Sequence, residues 1–457
     1  MNVLNVHNVN YMNVQDKNIC FINGNFDKQG LFPKLEELSK QSFIFEYDFG
    51  LNELPIEPGI IIIRGARQLG KSTWLESRLK NTLLKFGAGS AFYLNGEELE
   101  DFKSLIQAIR DLLPLFSKKN KVNFIFIDEI TSILYWEKAL KILADEGQIN
   151  NTLIITTGSK SLDLRRGTER LPGRKGKISR STYRFTHISF KEFVKKVEHK
   201  IRKDDLLYFY LLTGGSPIAI NALYENNYIP EYIISLTKDW VFGETTAQGR
   251  TLSSLKWVIN SLFKRSGLPC SSHAIAEDAG LANNTIASGY IELLKDLNCL
   301  AQSFPLETNQ LVPIPRKASK FNFINLLFVT AFHPHSLRAL DDLKKISSTE
   351  KGHLFEWLVA SEMWRRQSII GDDAPDNQYY WKSDTNEIDL IVNPLSKNKT
   401  FIEVKSGKAS ISDFIWFPKV FPKSVLTIIN QSSFENSFCK GISFIDFLSE
   451  KVKLKTE

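Results

Sequence analysis

At 457 residues the chain exceeds the size at which one hydrophobic core usually stops growing, so two to four domains are expected. With 43% hydrophobic and 24% charged residues, its composition is that of a globular protein and excludes a disordered one. The net charge of +7 leans mildly toward an anionic partner, although many proteins of this charge never meet nucleic acid. Cys20, Cys270, Cys299 and Cys439 are scattered without a CxxC pair, which argues against a disulfide scaffold or a zinc site and for a reducing compartment.

The opening stretch MNVLNVHNVNYMNVQ has neither a cationic region nor a continuous apolar run, so it is not a secretory leader. No apolar run approaches a membrane span, and a cytoplasmic protein without a membrane partner is expected. Residues 1–50 are taken as a lead-in, whose end, with QSFIFEYDFGLNELPIEPG, packs on the domain that follows.

Ile60 to Ile63 form the β-branched run of a buried parallel strand. Gly65, Ala66, Arg67, Gln68, Leu69, Gly70, Lys71 and Ser72 then fit GxxxxGKS, with Thr73 beside them, and a helical pattern runs from Trp74 to Leu84. Strand, glycine loop and helix in that order let backbone N–H groups cradle a polyphosphate. Lys71 is expected to reach the β and γ phosphates of ATP, and the Ser72 hydroxyl to ligate Mg2+.

Val122 to Ile127 predict a second buried strand, ending in Asp128 and Glu129. Asp128 is expected to hold magnesium through water and Glu129 to orient the attacking water. A strand can also close on acidic residues merely because it reaches the surface. Trp136, in the helical WEKALKILADEG, belongs to the core. Thr152 to Ser159 predict the neighbouring strand, whose Thr157 or Ser159 is placed to sense the γ-phosphate. These elements compose a parallel-sheet ATPase core over residues 51–200.

The chain then turns basic. Arg165, Arg166, Arg170 and Arg174 are candidates for a trans-acting arginine completing a neighbour's ATP site, for phosphate contacts to nucleic acid, or for a solvated basic face. A trans-acting role requires self-association. Helical patterns fill a lid over residues 201–260, turning sharply at Gly214 and Gly215 before Pro217.

Over residues 261–315 a helix from about His273, a turn at Gly280, a helix from an Asn284/Thr285 cap to Leu294 and a strand near Cys299 to Phe304 follow the order of a winged helix. Its second helix carries Lys295 as its only basic residue, which favours packing or partner binding over specific DNA reading.

The succession GARQLGKST, FIFIDEITSILYWEKALKIL, TGSKS, LPGRKG, HISFKEF, LLTGGSPIAI, NNTIASGYIELLKDLNCL, EIDLIV and FIEVKSG resembles a large archaeal and bacterial family. Its members are AAA-type P-loop ATPases with a winged helix and a C-terminal domain of formerly unknown function. The resemblance spans roughly residues 55–410. It implies ATP binding, hydrolysis and a restriction-endonuclease-like C-terminal fold, and it carries over Gly65 to Ser72, Asp128, Glu129, Ser159 and Arg174. The family tends to have an aspartate after the aromatic strand FNFI; this chain has Asn325. The fold class expected is therefore α/β multidomain: a P-loop NTPase parallel sheet with helical lid, a winged helix, a connector over 316–345 and a restriction-endonuclease-like α/β domain over 346–457.

In that last domain Glu403 and Lys405 stand two apart on a strand from Phe401 to Val404, so both leave the same face. Ile388 to Val392 predict the preceding strand, with Asp389 at its start and a hairpin-like pairing that brings Asp389 beside Glu403. Glu356 lies in the helix GHLFEWLVASEMW. This is the D…ExK pattern with its helical glutamate, a set suited to Mg2+- or Mn2+-dependent phosphodiester hydrolysis. The alternative is a surface strand salt-bridged to Lys382 or Lys408. Two functional classes follow. One is an ATP-driven enzyme acting on DNA or RNA, with Lys382, Lys405, Lys408 and the arginine loop on phosphates; the other is a regulatory or scaffolding ATPase whose terminal domain binds a protein and cuts nothing.

Overall fold

The computed structural model describes residues 12–159, 171, 173, 176, 178–372, 374–397 and 399–451. The chain divides into two compact units, Met1–Thr186 and His187–Glu457. Among the described residues no helix is long and apolar enough to cross a membrane.

The first unit is built on a five-stranded parallel sheet. Helices α1 (Val14–Asn23) and α2 (Pro33–Leu38) precede β1 (Gly59–Arg64), α3 (Lys71–Phe86), β2 (Ala91–Asn95), α4 (Phe102–Leu112), β3 (Asn123–Asp128), α5 (Trp136–Asp145), β4 (Thr152–Gly158) and β5 (Thr182–Arg184). The sheet order is β2-β3-β4-β1-β5, so β1 lies between β4 and β5. Ile60 to Ile63 and Phe124 to Ile127 are buried on both faces, which is why these strands are continuous apolar runs. Trp136 is core. Phe43, Phe45, Phe49 and Leu51 of the lead-in are buried, and the Phe49 ring packs edge-on against Trp74 of α3 at 5.1 Å. The helix predicted from Trp74 begins at Lys71, because Gly70 supplies its N-cap at φ 98°.

The second unit begins with α6 (Phe190–Val197), α7 (Leu206–Thr213), α8 (Pro217–Asn226), α9 (Glu231–Ala247) and α10 (Leu252–Lys264). Gly214 and Gly215, both left-handed, make the sharp turn between α7 and α8. Next come α11 (Ser272–Asp278), α12 (Asn284–Asp296), β6 (Leu300–Pro305), β7 (Lys320–Phe323), α13 (Leu326–Phe332), α14 (Leu340–Lys345) and α15 (Ser348–Ile370). Gly280 turns at φ 62° between α11 and α12, and the side chain that caps α12 is Asn283, one residue before the expected cap, because its Oδ1 reaches the Ile286 N–H at 3.0 Å.

The chain ends in β8 (Asn377–Lys382), β9 (Glu387–Ile388), β10 (Leu390–Val392), β11 (Thr400–Val404), α16 (Phe417–Val420), β12 (Leu426–Asn430), β13 (Phe434–Glu435), β14 (Cys439–Ser443) and α17 (Phe444–Leu448). One sheet runs β10-β11-β12-β14-β13, with β11, β12 and β14 mutually parallel; a second runs β7-β6-β8-β9. The single strand expected over Ile388 to Val392 is therefore two short strands in two sheets, with Asp389 at the break. Ile388 pairs with Trp381 in one sheet and Leu390 with Ile402 in the other, and the chain bends at Asp389 to serve both.

Helix α15 starts at a capping box between Ser347 and Glu350 and ends at left-handed Gly371. At its centre Glu362, 1% exposed, receives Arg365 at 2.8 Å and Arg366 at 2.6 Å. Arg365 also meets Glu450, and His187 stacks on Trp364 with ring centroids 6.3 Å apart.

Candidate functional site: a phosphate loop and a second carboxylate centre

In the first unit the loop between β1 and α3 curls over the C-terminal end of the sheet. Gly65 passes so close to β5 that a Cβ there would lie 2.6 Å from the Phe185 carbonyl oxygen. At Gly70 a Cβ would lie 1.9 Å from the hydroxyl of Tyr47. Only glycine fits either position. The Lys71 ammonium is buried and donates to the carbonyl oxygens of Gly65 at 2.9 Å and Ala66 at 2.8 Å. Burial pushes it down to about 8, against the pull of Glu129 and Asp128. Ser72 follows on the first turn of α3.

The ends of β3 and β4 face this loop. Asp128 Oδ1 accepts from the Thr157 hydroxyl at 2.5 Å and from the Glu129 N–H at 3.1 Å. Glu129 adopts φ 48°, a left-handed conformation costly for a side chain of this length. Its carboxylate accepts from the Ser159 N–H at 2.8 Å, the Ser159 hydroxyl at 2.7 Å and the Thr131 hydroxyl at 2.8 Å. Burial pushes this carboxyl up, but Lys71 and those hydrogen bonds bring it below the ordinary range. Arg67 Nε donates to the Ser159 hydroxyl at 3.2 Å. Thr131 and Tyr47 were not singled out from sequence; Tyr47 belongs to an aromatic lead-in with no local mark of a nucleotide site. Arg165, Arg166, Arg170 and Arg174 lie outside the described residues.

The second centre is at the break between β9 and β10. Leu390 pairs with Ile402 in an antiparallel ladder, and Asp389, just before β10, lies beside Glu403 of β11. Asp389 Oδ2 accepts from the Val404 N–H at 2.9 Å, and Glu403 Oε2 accepts from the Asp389 N–H at 3.3 Å. Glu403 is 4% exposed, and Lys405 donates to its Oε1 at 2.7 Å. Glu403 is therefore no surface residue paired to Lys382 or Lys408; Lys382 pairs instead with Glu387 at 2.8 Å. Burial and the charge of Asp389 raise the Glu403 carboxyl well above its ordinary range. The same two causes, burial and the charge of Asp389, raise Glu356, on α15.

Lys320 is the residue that sequence reasoning missed. It stands on β7, 4% exposed, with its ammonium 3.4 Å from Asp389 and in contact with Glu387. Burial disfavours its charge, but Asp389, Glu387 and Glu356 together hold it above the ordinary lysine range. It precedes the stretch assigned to the terminal domain and was passed over as part of a connector; a lysine opening the aromatic strand KFNF was the available mark.

Among the described residues no three His, Cys, Asp or Glu side chains form a ready metal cage. Divalent magnesium, however, is commonly bound by one or two carboxylates with waters and substrate phosphate completing the shell. Two opposed carboxylates, one with its ionisation suppressed by the other, fit such an ion, because its charge relieves their repulsion.

Residues 57–194 match the model of the AAA domain, and residues 351–445 match a domain of unknown function, DUF4143. The chain thus carries the AAA domain, all but its last eight matched residues lying in the first unit, and it is an ATP-binding enzyme that hydrolyses ATP. An uncharacterized protein of Methanocaldococcus jannaschii, MJ1544, is 24% identical over 411 residues, covering 86% of this chain and 85% of that protein. Among solved structures, the Walker-type ATPase PABY2304 of Pyrococcus abyssi covers 67% of this chain and 95% of its own, at 14% identity and a TM-score of 0.42. The Aeropyrum pernix ORC1 protein in complex with DNA covers 70% and 91%, at 14% identity and a TM-score of 0.33.

Proposed function

We propose that the chain is a magnesium-dependent ATPase coupled to a nuclease-like domain of restriction-endonuclease-like fold, with α11, α12 and β6, within residues 261–315, acting as a winged helix between them. In this reading Ser72 and Asp128 hold the magnesium of ATP, Lys71 binds its phosphates and Glu129 orients the attacking water. At the second centre Asp389 and Glu403, with Glu356 at the edge, hold Mg2+ or Mn2+, and Lys405 stabilises charge developing on a scissile phosphate. The observation that carries the reading is that Asp389 lies against buried Glu403, whose Oε2 accepts from the Asp389 N–H at 3.3 Å, with Lys405 on Glu403. Residues of this kind are not buried together for stability alone, since burying like charges is costly.

A second reading, a regulatory ATPase with a non-cleaving terminal domain, is supported by Lys320, which already supplies a cation to Asp389 and Glu387. One experiment separates the two: a cleavage assay over single- and double-stranded DNA and RNA, with Mg2+ or Mn2+, with and without ATP. Wild type should cut at least one substrate, and Asp389→Ala and Lys405→Ala should each lower the rate about 100-fold or more. A preparation with verified ATPase activity that cuts nothing favours the second reading.

A further inference from the structure

Two adjoining cavities of about 290 and 350 Å3 open in the second unit, between α9, α10, α13 and the start of α15. Asn260 and His333 line both, so the cavities adjoin and together make up a groove. The first part holds three cationic side chains, Lys238, Lys256 and Arg338. Arg338 is paired with Glu231. Among the described residues neither Lys238 nor Lys256 has a carboxylate partner. Their ammonium groups stand instead over aromatic rings, Lys238 at 5.9 Å from the centre of Phe332 and Lys256 at 5.2 Å from that of Phe242. The two rings meet edge to face at 5.8 Å. The floor is thus aromatic, and among the described residues two of its three cations, Lys238 and Lys256, have no carboxylate partner.

Lys256, Asn260 and Lys264 recur every fourth residue on one face of α10 and run the length of the groove. Lys264 shares Asp278 with Arg265. Trp257, three positions before Asn260, is 57% exposed. The groove's own carboxylate, Glu350, accepts from the Ser347 hydroxyl at 2.8 Å and faces His335 at 3.0 Å. At the far end His353 lines the wall, and a Cβ on Gly267 would meet His353 Nε2 at 2.9 Å and Glu356 Oε2 at 3.7 Å. The groove therefore ends at Ser266 and Trp357, beside Glu356.

We propose that this groove binds the sugar-phosphate backbone of a single nucleic-acid strand and leads it to the Asp389–Glu403 pair. Phosphates meet the two lysines, and the ring edges of Phe242 and Phe332 offer stacking surfaces to unpaired bases. Binding by the groove stands independently, whereas delivery rests on the hydrolytic reading of the carboxylate pair.

The test uses the full chain, fluorescein-labelled single-stranded DNA and RNA oligonucleotides and anisotropy titrations in EDTA at several salt concentrations. The doubly substituted Lys238→Met/Lys256→Met keeps the apolar stems on the rings, and Lys238→Gln/Lys256→Gln repeats the test with polar stems. Either should weaken binding at least tenfold and make the plot of log K against log salt shallower by about 1.4, the value for two phosphate contacts on a single strand. Lys195→Ala, outside the groove, should change neither. Unchanged affinity and slope in both double variants overturns the groove. Displacement of the strand by equimolar inorganic tripolyphosphate, in a Lys71→Ala background, overturns it in favour of a small polyanion site. Repeating the assay with Mg2+ or Mn2+ separates the two claims: strand binding through the lysines without cutting overturns delivery alone, and cutting that survives the double substitution overturns the groove as its route.

Discussion

At Lys71 two demands compete. The side chain must be buried to lie under a polyphosphate, and burial lowers its affinity for a proton, to about 8 here against the pull of Glu129 and Asp128. A bound triphosphate favours the charged form, so ATP binding above pH 8 must be accompanied by proton uptake. ATP affinity should therefore fall as pH rises from 7 to 9, and calorimetry in buffers of different ionisation enthalpy should register the proton. Affinity that is flat over this range rules the coupling out. Lys71→Ala should remove the pH dependence together with most of the binding. Glu129 has a different problem: left-handed and gripped by Ser159 and Thr131, its carboxylate is held in place before any water is activated. Glu129→Gln should retain ATP with Kd within a few-fold of wild type while phosphate release falls about 100-fold or more. Equal loss of both would assign Glu129 to binding.

At the level of elements, the bend between β9 and β10 ties two sheets together, and Lys320 of β7 is its counter-charge. Lys320→Met leaves Asp389 and Glu387 without that cation, and breaking a buried pair from one side costs about 3–5 kcal/mol. The variant should melt earlier than wild type, and Mg2+ or Mn2+ should recover more of the loss than it adds to wild type, because the ion then takes over the neutralisation. Calorimetry with and without EDTA reads both effects. If the metal stabilises neither protein, Asp389 and Glu403 hold no ion.

For the whole molecule, two compact units mean that unfolding need not be a single transition. ATP should raise only the transition of the unit bearing the phosphate loop, by about 2.7 kcal/mol at a hundredfold excess over Kd. Between pH 6.5 and 4.5 acid should weaken the other. His187, buried beside Arg365, is pushed down to about 4 and stays neutral when folded, whereas an unfolded histidine takes a proton near 6.5. Its contribution, on the order of 3 kcal/mol, is present above pH 6.5 and lost between 6.5 and 4. Glu362 is buried, but Arg365 and Arg366 hold it at about 2, so its contribution is present above 4.5 and lost below that. The second unit should therefore weaken in two stages on acidification, and His187→Phe should shrink the upper one, to which His333 and His353, also pushed down by burial, contribute the rest. A melting temperature independent of pH between 6.5 and 4.5 would contradict this.

The phosphate loop, the two strands carrying Asp128 and Ser159, and the facing of Glu403 and Lys405 were legible in the sequence because each depends on neighbours a few positions apart: a glycine's dihedral freedom, the alternation of a strand, the turn of a helix. The sequence likewise placed Asp389 beside Glu403, but not the break that puts it there, because a bend between two sheets depends on partners in both. Tyr47 over Gly70, Lys320 beside Asp389 and the lysine groove between α9, α10 and α13 were decided only by tertiary structure. Their partners come from distant segments, and no local periodicity records which distant charge or ring a side chain will meet once burial makes that meeting obligatory.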